Sequence, residues 1–482
     1  MSFEEWSADL DNLELIGPGL HPAAYLEPQA LAATNKPVVV SGVTLLGLEK
    51  TKHDYVEAYL QPLYEAKTFD EALTRLSGIS HTLEQLGLFK HVDVFLHQVE
   101  PEQRLDESGE LAADFSTDDS LPVPLTADLR FEESKFRKVR VSANGGASTS
   151  SLGGTASASL LNLLGRGESL TLKADLDQAS NKSYLLTLRK PLVTGRKQAD
   201  FAEASMEFFH DRADYADHRP YSETRNGMSL RYLFRKHHQV SYEHAFRDNE
   251  LNDPTRQDLS VSLRANTGKS VKSAVKYAFK LDTQNHPALP TSGYLLRSET
   301  ELAGLLGDVS HLRQTLSAQI HLPVPRVFNG HSSLGLLFRA GLLLPFHRTA
   351  SRVNDRFMLG GPALFRGFDT DGVGPRDRAD SLGSEFYSTA TLDYRFPLPK
   401  GLPEWLQGHA FLAVGTTLNT IRDRSDSLSA LLSNNFRRSA GLGVVAELFG
   451  NHRFELNICF GHQHLPSDRP VRWEFGFWDM LQ

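Results

Sequence analysis

Cysteine is almost absent, with Cys459 alone among 482 residues. One thiol closes no intramolecular disulfide and builds no thiolate metal cluster, which excludes a small secreted disulfide scaffold and a zinc module together. Stability must come from burial and backbone pairing. Positive charge is not in excess either: 51 Lys plus Arg stand against 59 Asp plus Glu, a net charge of −8. Nucleic-acid binding as the main task and a polybasic membrane tether are therefore excluded. Long apolar runs are missing too. A spanning helix needs about 20 mainly apolar residues, and the candidates at 37–48 and 341–346 are far shorter. A closed β-barrel escapes that test, since its strands need only about 9–11 residues and alternate lipid-facing apolar with lumen-facing polar side chains. The mean hydropathy of −0.33 is compatible with such a barrel. Residues 1–10 carry Glu4, Glu5 and Asp9 with no basic residue and no apolar core. Neither a secretory signal nor an Arg-rich transit peptide is expected there, so a barrel built from this chain would reach its membrane from the cytosol.

What is present falls into two regions of different period. Residues 1–36 show no sustained pattern and are expected to form a mobile N-terminal arm. From Pro37 an apolar run through Val38, Val39, Val40, Val43, Leu45 and Leu46 suits a buried strand. Two helical stretches follow at 53–63 and 69–86, the second with Leu73, Leu76, Ile79, Leu83 and Leu86 at spacings of three and four. Asp70 and Glu71 in its first turn and Gly87 at its end obey the dipole and C-cap rules. Val92, Val94 and Leu96 alternate in a strand, 100–120 reads as an acidic loop, and 121–131 is a third strand. This order over 37–132 resembles a POTRA domain, the polypeptide-transport module of outer-membrane assembly proteins, down to the Gly87-Leu88-Phe89 turn.

From 136 to 482, period 2 takes over. In 453–460, Arg453, Glu455, Asn457 and Cys459 share one face while Phe454, Leu456, Ile458 and Phe460 share the other. The same alternation runs through Val275, Tyr277, Phe279 and Leu281 and through Met228, Leu230, Tyr232 and Phe234. Strands are expected near 136–147, 153–163, 168–177, 183–190, 199–210, 225–235, 238–248, 256–282, 293–302, 311–321, 332–341, 384–394, 408–415, 436–446, 453–461 and 471–478. That is an even sixteen, as an antiparallel barrel with both ends on one side requires. The span 256–282 is taken as one long strand, a hairpin at Asn266-Thr267-Gly268 being its alternative. A propeller would show a blade repeat of about 40–50 residues, and none is found. A soluble sandwich shares the alternation but rarely needs sixteen strands, and the interval 342–383 is too long for an ordinary hairpin loop. The fold expected is an all-β transmembrane one, a 16-stranded antiparallel barrel over 136–482 behind one α+β domain.

That long interval holds Gly360-Gly361-Pro362-Ala363-Leu364-Phe365-Arg366-Gly367-Phe368. It resembles the loop-six motif of the outer-membrane β-barrel assembly superfamily, a Gly-Gly pair followed by Arg-Gly-Phe. Pro290-Thr291-Ser292-Gly293-Tyr294 running into Glu301-Leu302-Ala303-Gly304 resembles a second superfamily signature, and Asn162-Leu163-Leu164-Gly165-Arg166-Gly167 a third. A single POTRA domain without a secretory signal is most similar to the mitochondrial branch, the barrel insertase of the sorting and assembly machinery. The resemblance implies a place in the mitochondrial outer membrane, with the POTRA domain in the intermembrane space and loop six on the cytosolic side or folded into the barrel. It implies as partners β-barrel precursors such as the voltage-dependent anion channel and the general import pore, accessory subunits of the machinery, and membrane lipid. It also implies that loop six folds inward, Gly360, Gly361, Phe365, Gly367 and Phe368 shaping its tip and Arg366 meeting acids on the lumen wall. Asp393 matches one such acid, and Val414 stands where the second is expected.

The physics of insertion points to a seam between the first and last strands. Each unsatisfied backbone group in hydrocarbon costs several kcal/mol, so an inserting strand needs an edge to pair with. A seam formed by Val139, Val141, Gly145 and Gly146 on the first strand and by Trp473, Phe475, Gly476 and Phe477 on the last could open and template one. Gly145-Gly146 and Gly153-Gly154 would weaken its first side, unless they are turn glycines. Trp473, Phe477 and Trp478 equally fit an aromatic girdle. Glu474 and Gly476 match the terminal signal of barrel precursors, although Asp479 occupies its first hydrophobic slot.

Catalytic readings fail on spacing. Gly268-Lys269-Ser270 lacks the phosphate-loop glycine, Leu263 standing in its place. His237-His238 and His462-Gln463-His464 offer no third ligand, so no metal and no cofactor are expected. No nucleophile–base motif exists, so the chain is expected not to be an enzyme. Three functions stay open: a barrel-folding insertase, a polypeptide-translocating pore of the same superfamily, and a soluble all-β binding protein.

Overall fold

The computed structural model describes residues 37–98, 122–135, 137–145, 152–177, 181–193, 201–215, 219–253, 255, 259–324, 332–346, 351–399, 401–403, 405–419, 435–448 and 452–479. The arm at 1–36, the whole acidic loop at 100–120 and Gly146 lie outside them. The chain divides into two compact units, one within 1–47, 59–85 and 91–132, the other within 48–58, 86–90 and 133–482.

The smaller unit has a three-stranded sheet in the order β1 (Val38–Leu46), β3 (Val123–Glu133), β2 (Phe89–Gln98), with β1 parallel to β3. The chain also forms α1 (His53–Leu60) and α2 (Phe69–Gln85). α2 begins where Thr68 Oγ1 accepts the Glu71 N–H at 3.3 Å and Glu71 accepts the Lys67 N–H at 3.0 Å, a reciprocal cap. That backbone donor draws the Glu71 carboxyl below its ordinary range. Ala72, Leu76, Ile79 and Leu83 form a buried stripe along α2, and Ser80 Oγ donates to the Val92 carbonyl of β2.

In the larger unit sixteen strands pair consecutively and antiparallel in one sheet. They are β4 (Arg137–Gly145), β5 (Leu152–Leu161), β6 (Ser169–Asp177), β7 (Lys182–Val193), β8 (Phe201–Asp214), β9 (Tyr221–Phe234), β10 (His238–Leu251) and β11 (Gly268–Asp282). Then come β12 (Gly293–Ala303), β13 (His311–Val324), β14 (Ser332–Pro345), β17 (Phe386–Pro397), β18 (Leu406–Leu418), β19 (Arg437–Leu448), β20 (His452–Gln463) and β21 (Trp473–Asp479). The interval between β14 and β17 carries a two-residue hairpin, β15 (Arg376–Asp377) and β16 (Asp380–Ser381). One expected strand is corrected: 256–282 is not continuous. Ser260 caps a short helix, α3 (Val261–Ala265), by accepting the N–H groups of Ser262 and Leu263, and β11 begins only after the Asn266-Thr267-Gly268 turn. The count of sixteen stands, because that turn ends a helix and opens no hairpin.

Alternation sorts the wall into two faces. Along β20, Arg453, Glu455, Asn457 and Cys459 are buried, whereas Leu456, Ile458 and Phe460 are 39–50% exposed. Exposed apolar residues recur in the same phase on other strands, Leu172, Leu336 and Leu392 among them, the alternation of a lipid-facing wall.

Candidate functional site

Loop six, the interval 346–385, turns back into the barrel. Its tip is a tight turn in which Gly361 N–H donates to the Phe368 carbonyl at 2.9 Å and Phe365 N–H to the Gly361 carbonyl at 3.0 Å. Gly360 sits at φ +135°, where a Cβ would lie 2.0 Å from the Asp369 carbonyl oxygen, so only glycine fits. Phe365 and Phe368 stack at 4.9 Å between centroids and are 1% and 0% exposed. Between them Arg366 leaves the turn sideways and meets Glu455 of β20 in two bonds, Nε to Oε2 at 2.9 Å and Nη2 to Oε1 at 2.8 Å. The guanidinium also lies 5.4 Å from the Phe411 ring centroid. Burial disfavours its charge, and the Glu455 carboxylate outweighs that, raising Arg366 above its ordinary range.

Backbone bonds fasten the tip to the segment that leads into the last strand. Val471 N–H donates to the Gly367 carbonyl at 3.0 Å, Asp369 N–H to the Arg469 carbonyl at 2.9 Å, and Arg469 N–H to the Gly372 carbonyl at 2.8 Å. Gly367 N–H reaches Glu474 of β21 at 3.3 Å, and Ser439 Oγ donates to the Arg366 carbonyl. Asp468 accepts Arg437 Nε at 3.0 Å and the Gly374 N–H at 3.2 Å.

The root of the loop is anchored elsewhere on the wall. Asp355 receives Arg247 Nη1 of β10 at 2.8 Å and lies 3.6 Å from Lys272 Nζ of β11, which also pairs with Glu301 of β12. Burial alone would raise the Asp355 carboxyl, but Arg247 and Lys272 bring it down to about 2. Loop six is therefore a strut across the lumen, tied at its root to β10 and β11 and at its tip to β19–β21.

At the ends of the sheet, β4 is nine residues long and β21 seven. They approach each other, yet among the described residues no ladder pairing joins them. Val139 and Val141 are 78% and 76% exposed, Trp473 and Phe475 65% and 56%. Gly476 is buried and Phe477 half-buried. Gly145 ends β4 and does not interrupt it, pairing with Leu152, while Gly153 and Gly154 lie inside β5 opposite Asn144 and Ala143.

Residues 162–477 match the Omp85 superfamily domain. The chain belongs to the Omp85 superfamily. It is 30% identical over 449 residues to the human sorting and assembly machinery component 50 homolog, covering 90% of this chain and 88% of that protein. The Xenopus tropicalis homolog is 30% identical over 470 residues, 93% of each chain. Among solved structures, BamA from Haemophilus ducreyi lacking POTRA domains 1-3 superposes with a TM-score of 0.68 at 15% identity, covering 92% of this chain and 85% of that one, a likeness of fold.

In this Omp85 barrel the counter-charge of Arg366 is corrected. Asp393 is not the acid that grips it: its Oδ1 bonds His409 Nδ1 at 2.9 Å and its Oδ2 lies 3.7 Å from Arg395 Nε. Glu455 of β20 takes the guanidinium instead. Val414 shares the outward phase of Leu412, whereas Phe411 and Ala413 are buried. It occupies no lumen position an acid could use. Glu455 belongs to the polar face of 453–460 that alternation marks; spacing alone does not tell which strand the loop tip reaches. The third signature has a local role: Asn162 Nδ2 donates to Thr51 Oγ1 at 2.8 Å, Lys52 N–H to the Gly165 carbonyl at 2.8 Å, and Arg166 pairs with Asp54.

Proposed function

We propose that this chain is the core insertase that folds and inserts β-barrel precursors into the mitochondrial outer membrane, through a lateral gate between β4 and β21. The observation that carries the reading is the unladdered meeting of the sheet's two ends. Every other neighbouring pair of strands is held by a hydrogen-bonded ladder and a covalent connection, so this seam is where the wall parts at least cost. Loop six adds an asymmetry: it is stitched to 469–471 and to Glu474, so β21 is steadied from inside, while among the described residues the ladder partner of β4 is β5 alone. A precursor strand would then pair with the freer edge, satisfying backbone groups that hydrocarbon leaves bare.

On this reading 37–132 is a single POTRA domain facing the intermembrane space, and loop six enters from the cytosolic end. The precursors include the voltage-dependent anion channel and the general import pore, delivered and released with accessory subunits. No bond is made or broken in the substrate; the free energy comes from the precursor's own folding. The test is a precursor arrested during assembly and carrying a photocrosslinker in its terminal strand. Adducts should form at Val139 and Val141, and adducts confined to lumen-wall residues such as Asn457 would favour the pore.

A further inference from the structure

A second segment enters the lumen from the opposite end. The connection between β11 and β12, residues 283–292, lies at the end where β4 begins, because odd-to-even connections such as loop six lie at the other end of an antiparallel barrel. It belongs to the eighth and ninth strands, yet its partners are on the twelfth, fourteenth and fifteenth. The Ala288 carbonyl accepts Arg453 Nη1 of β20 at 3.2 Å, and the Pro290 carbonyl accepts Arg395 Nη2 of β17. Ala288 and Leu289 pack on Val445 of β19, and His286 Nε2 stands 3.3 Å from Glu447. A hairpin turn reaches strands that far round the wall only by crossing the lumen.

The groups that hold this turn are the groups that hold loop six. Arg453 Nε donates to Glu455 Oε1 at 2.7 Å, and the same oxygen accepts Arg366 Nη2. A second route runs from Arg395 to Asp393, from Asp393 to His409 Nδ1, from His409 Nε2 to Asn457 Oδ1 at 2.7 Å, and from Asn457 Nδ2 to Glu455 Oε2 at 3.3 Å. Both routes end on Glu455. Arg395 is nearly fully buried, yet its Nη1 and Nε make no hydrogen bond. That leaves the turn's grip incomplete and displaceable.

We propose that 283–292 is an inner plug, coupled to loop six through the Glu455 cluster, so that freeing either plug loosens the other. Binding of an incoming chain at the β4 end would in this way be felt at the loop-six tip without contact with it. The coupling is a property of the barrel and does not depend on what the barrel inserts.

Coupling of this kind is reciprocal, and that gives the test. In reconstituted full-length chain with Cys459→Ala, reporter thiols at Leu289→Cys or Val373→Cys, both buried, are scored by maleimide labelling rate. Leu289→Asp should speed labelling at Val373→Cys by roughly five-fold or more, and Arg366→Gln should do the same at Leu289→Cys, the lower range of measured couplings. With Glu455→Gln in place, Leu289→Asp should add nothing at Val373→Cys. The opposite manipulation guards against misfolded variants: a formed disulfide between Ala288→Cys and Val445→Cys should slow labelling at Val373→Cys. Perturbations that speed labelling only in their own plug, or a formed tether without effect on loop six, overturn the proposal.

Discussion

Arg366 and Glu455 stand 89 positions apart and meet in two parallel hydrogen bonds of 2.9 and 2.8 Å, with Arg453 sharing the same carboxylate. The sharing makes the two partners unequal. Arg366→Ala leaves Glu455 paired with Arg453, so it should cost about 1.5–3 kcal/mol of loop-six docking, the worth of a charged hydrogen bond. Glu455→Ala removes the carboxylate that two buried guanidiniums share and should cost about 3–5 kcal/mol. Limited proteolysis should therefore cut loop six faster in Glu455→Ala than in Arg366→Ala, and faster in both than in Asp393→Asn.

Gly367 lies at φ +86° with Ser439 Cβ 2.8 Å from where its own Cβ would stand. Gly367→Ala should strain the turn by about 1–3 kcal/mol and shift the tip away from 469–471. Spin labels placed in loop six and beside β21 should report a longer separation, while circular dichroism keeps its strand content.

Lipid contact is testable on β20. Leu456 and Ile458 are 39% and 47% exposed on the outer face. Arg at a lipid-facing midplane position destabilises a barrel by about 2–4 kcal/mol and by much less near the interface. Ile458→Arg should lower the urea midpoint in vesicles markedly, whereas the same change in detergent should be milder.

Asp355 supplies a pH dependence. Its folded value of about 2 lies below the ordinary carboxyl value of roughly 3.9. A depressed value means stabilisation that is complete above about pH 4 and lost as pH falls toward 2. Pepsin cleavage near the loop root should rise across that window, and Asp355→Asn should make the root sensitive already at pH 4.

Much of the barrel is legible in the sequence because its physics is local. Alternation in 453–460 is enough to place Glu455 and Asn457 on the inward face, and strand lengths follow from the span. The interrupted stretch 256–282 is harder, since α3 is five residues long and carries too few turns to show a period. The loop-six tip can be named from Gly360 to Phe368, but its partner cannot. Docking of a loop across the lumen is set by where opposite walls approach, and only pairing registers around the whole sheet fix that. The same reason hides the inner plug: Pro290 and Arg395 are 105 positions apart and come together only when the sheet curls.

If β4 and β21 part to admit a strand, fastening them together must stop insertion. Cysteine pairs placed across them, near Val141 and Phe475 in a Cys459→Ala background and scanned over neighbouring positions, should lock the seam when oxidised. The measurement is the rate of precursor assembly before and after reduction of pairs shown to be crosslinked. Assembly should stop on oxidation and resume on reduction; normal assembly through a locked seam would rule out the lateral gate.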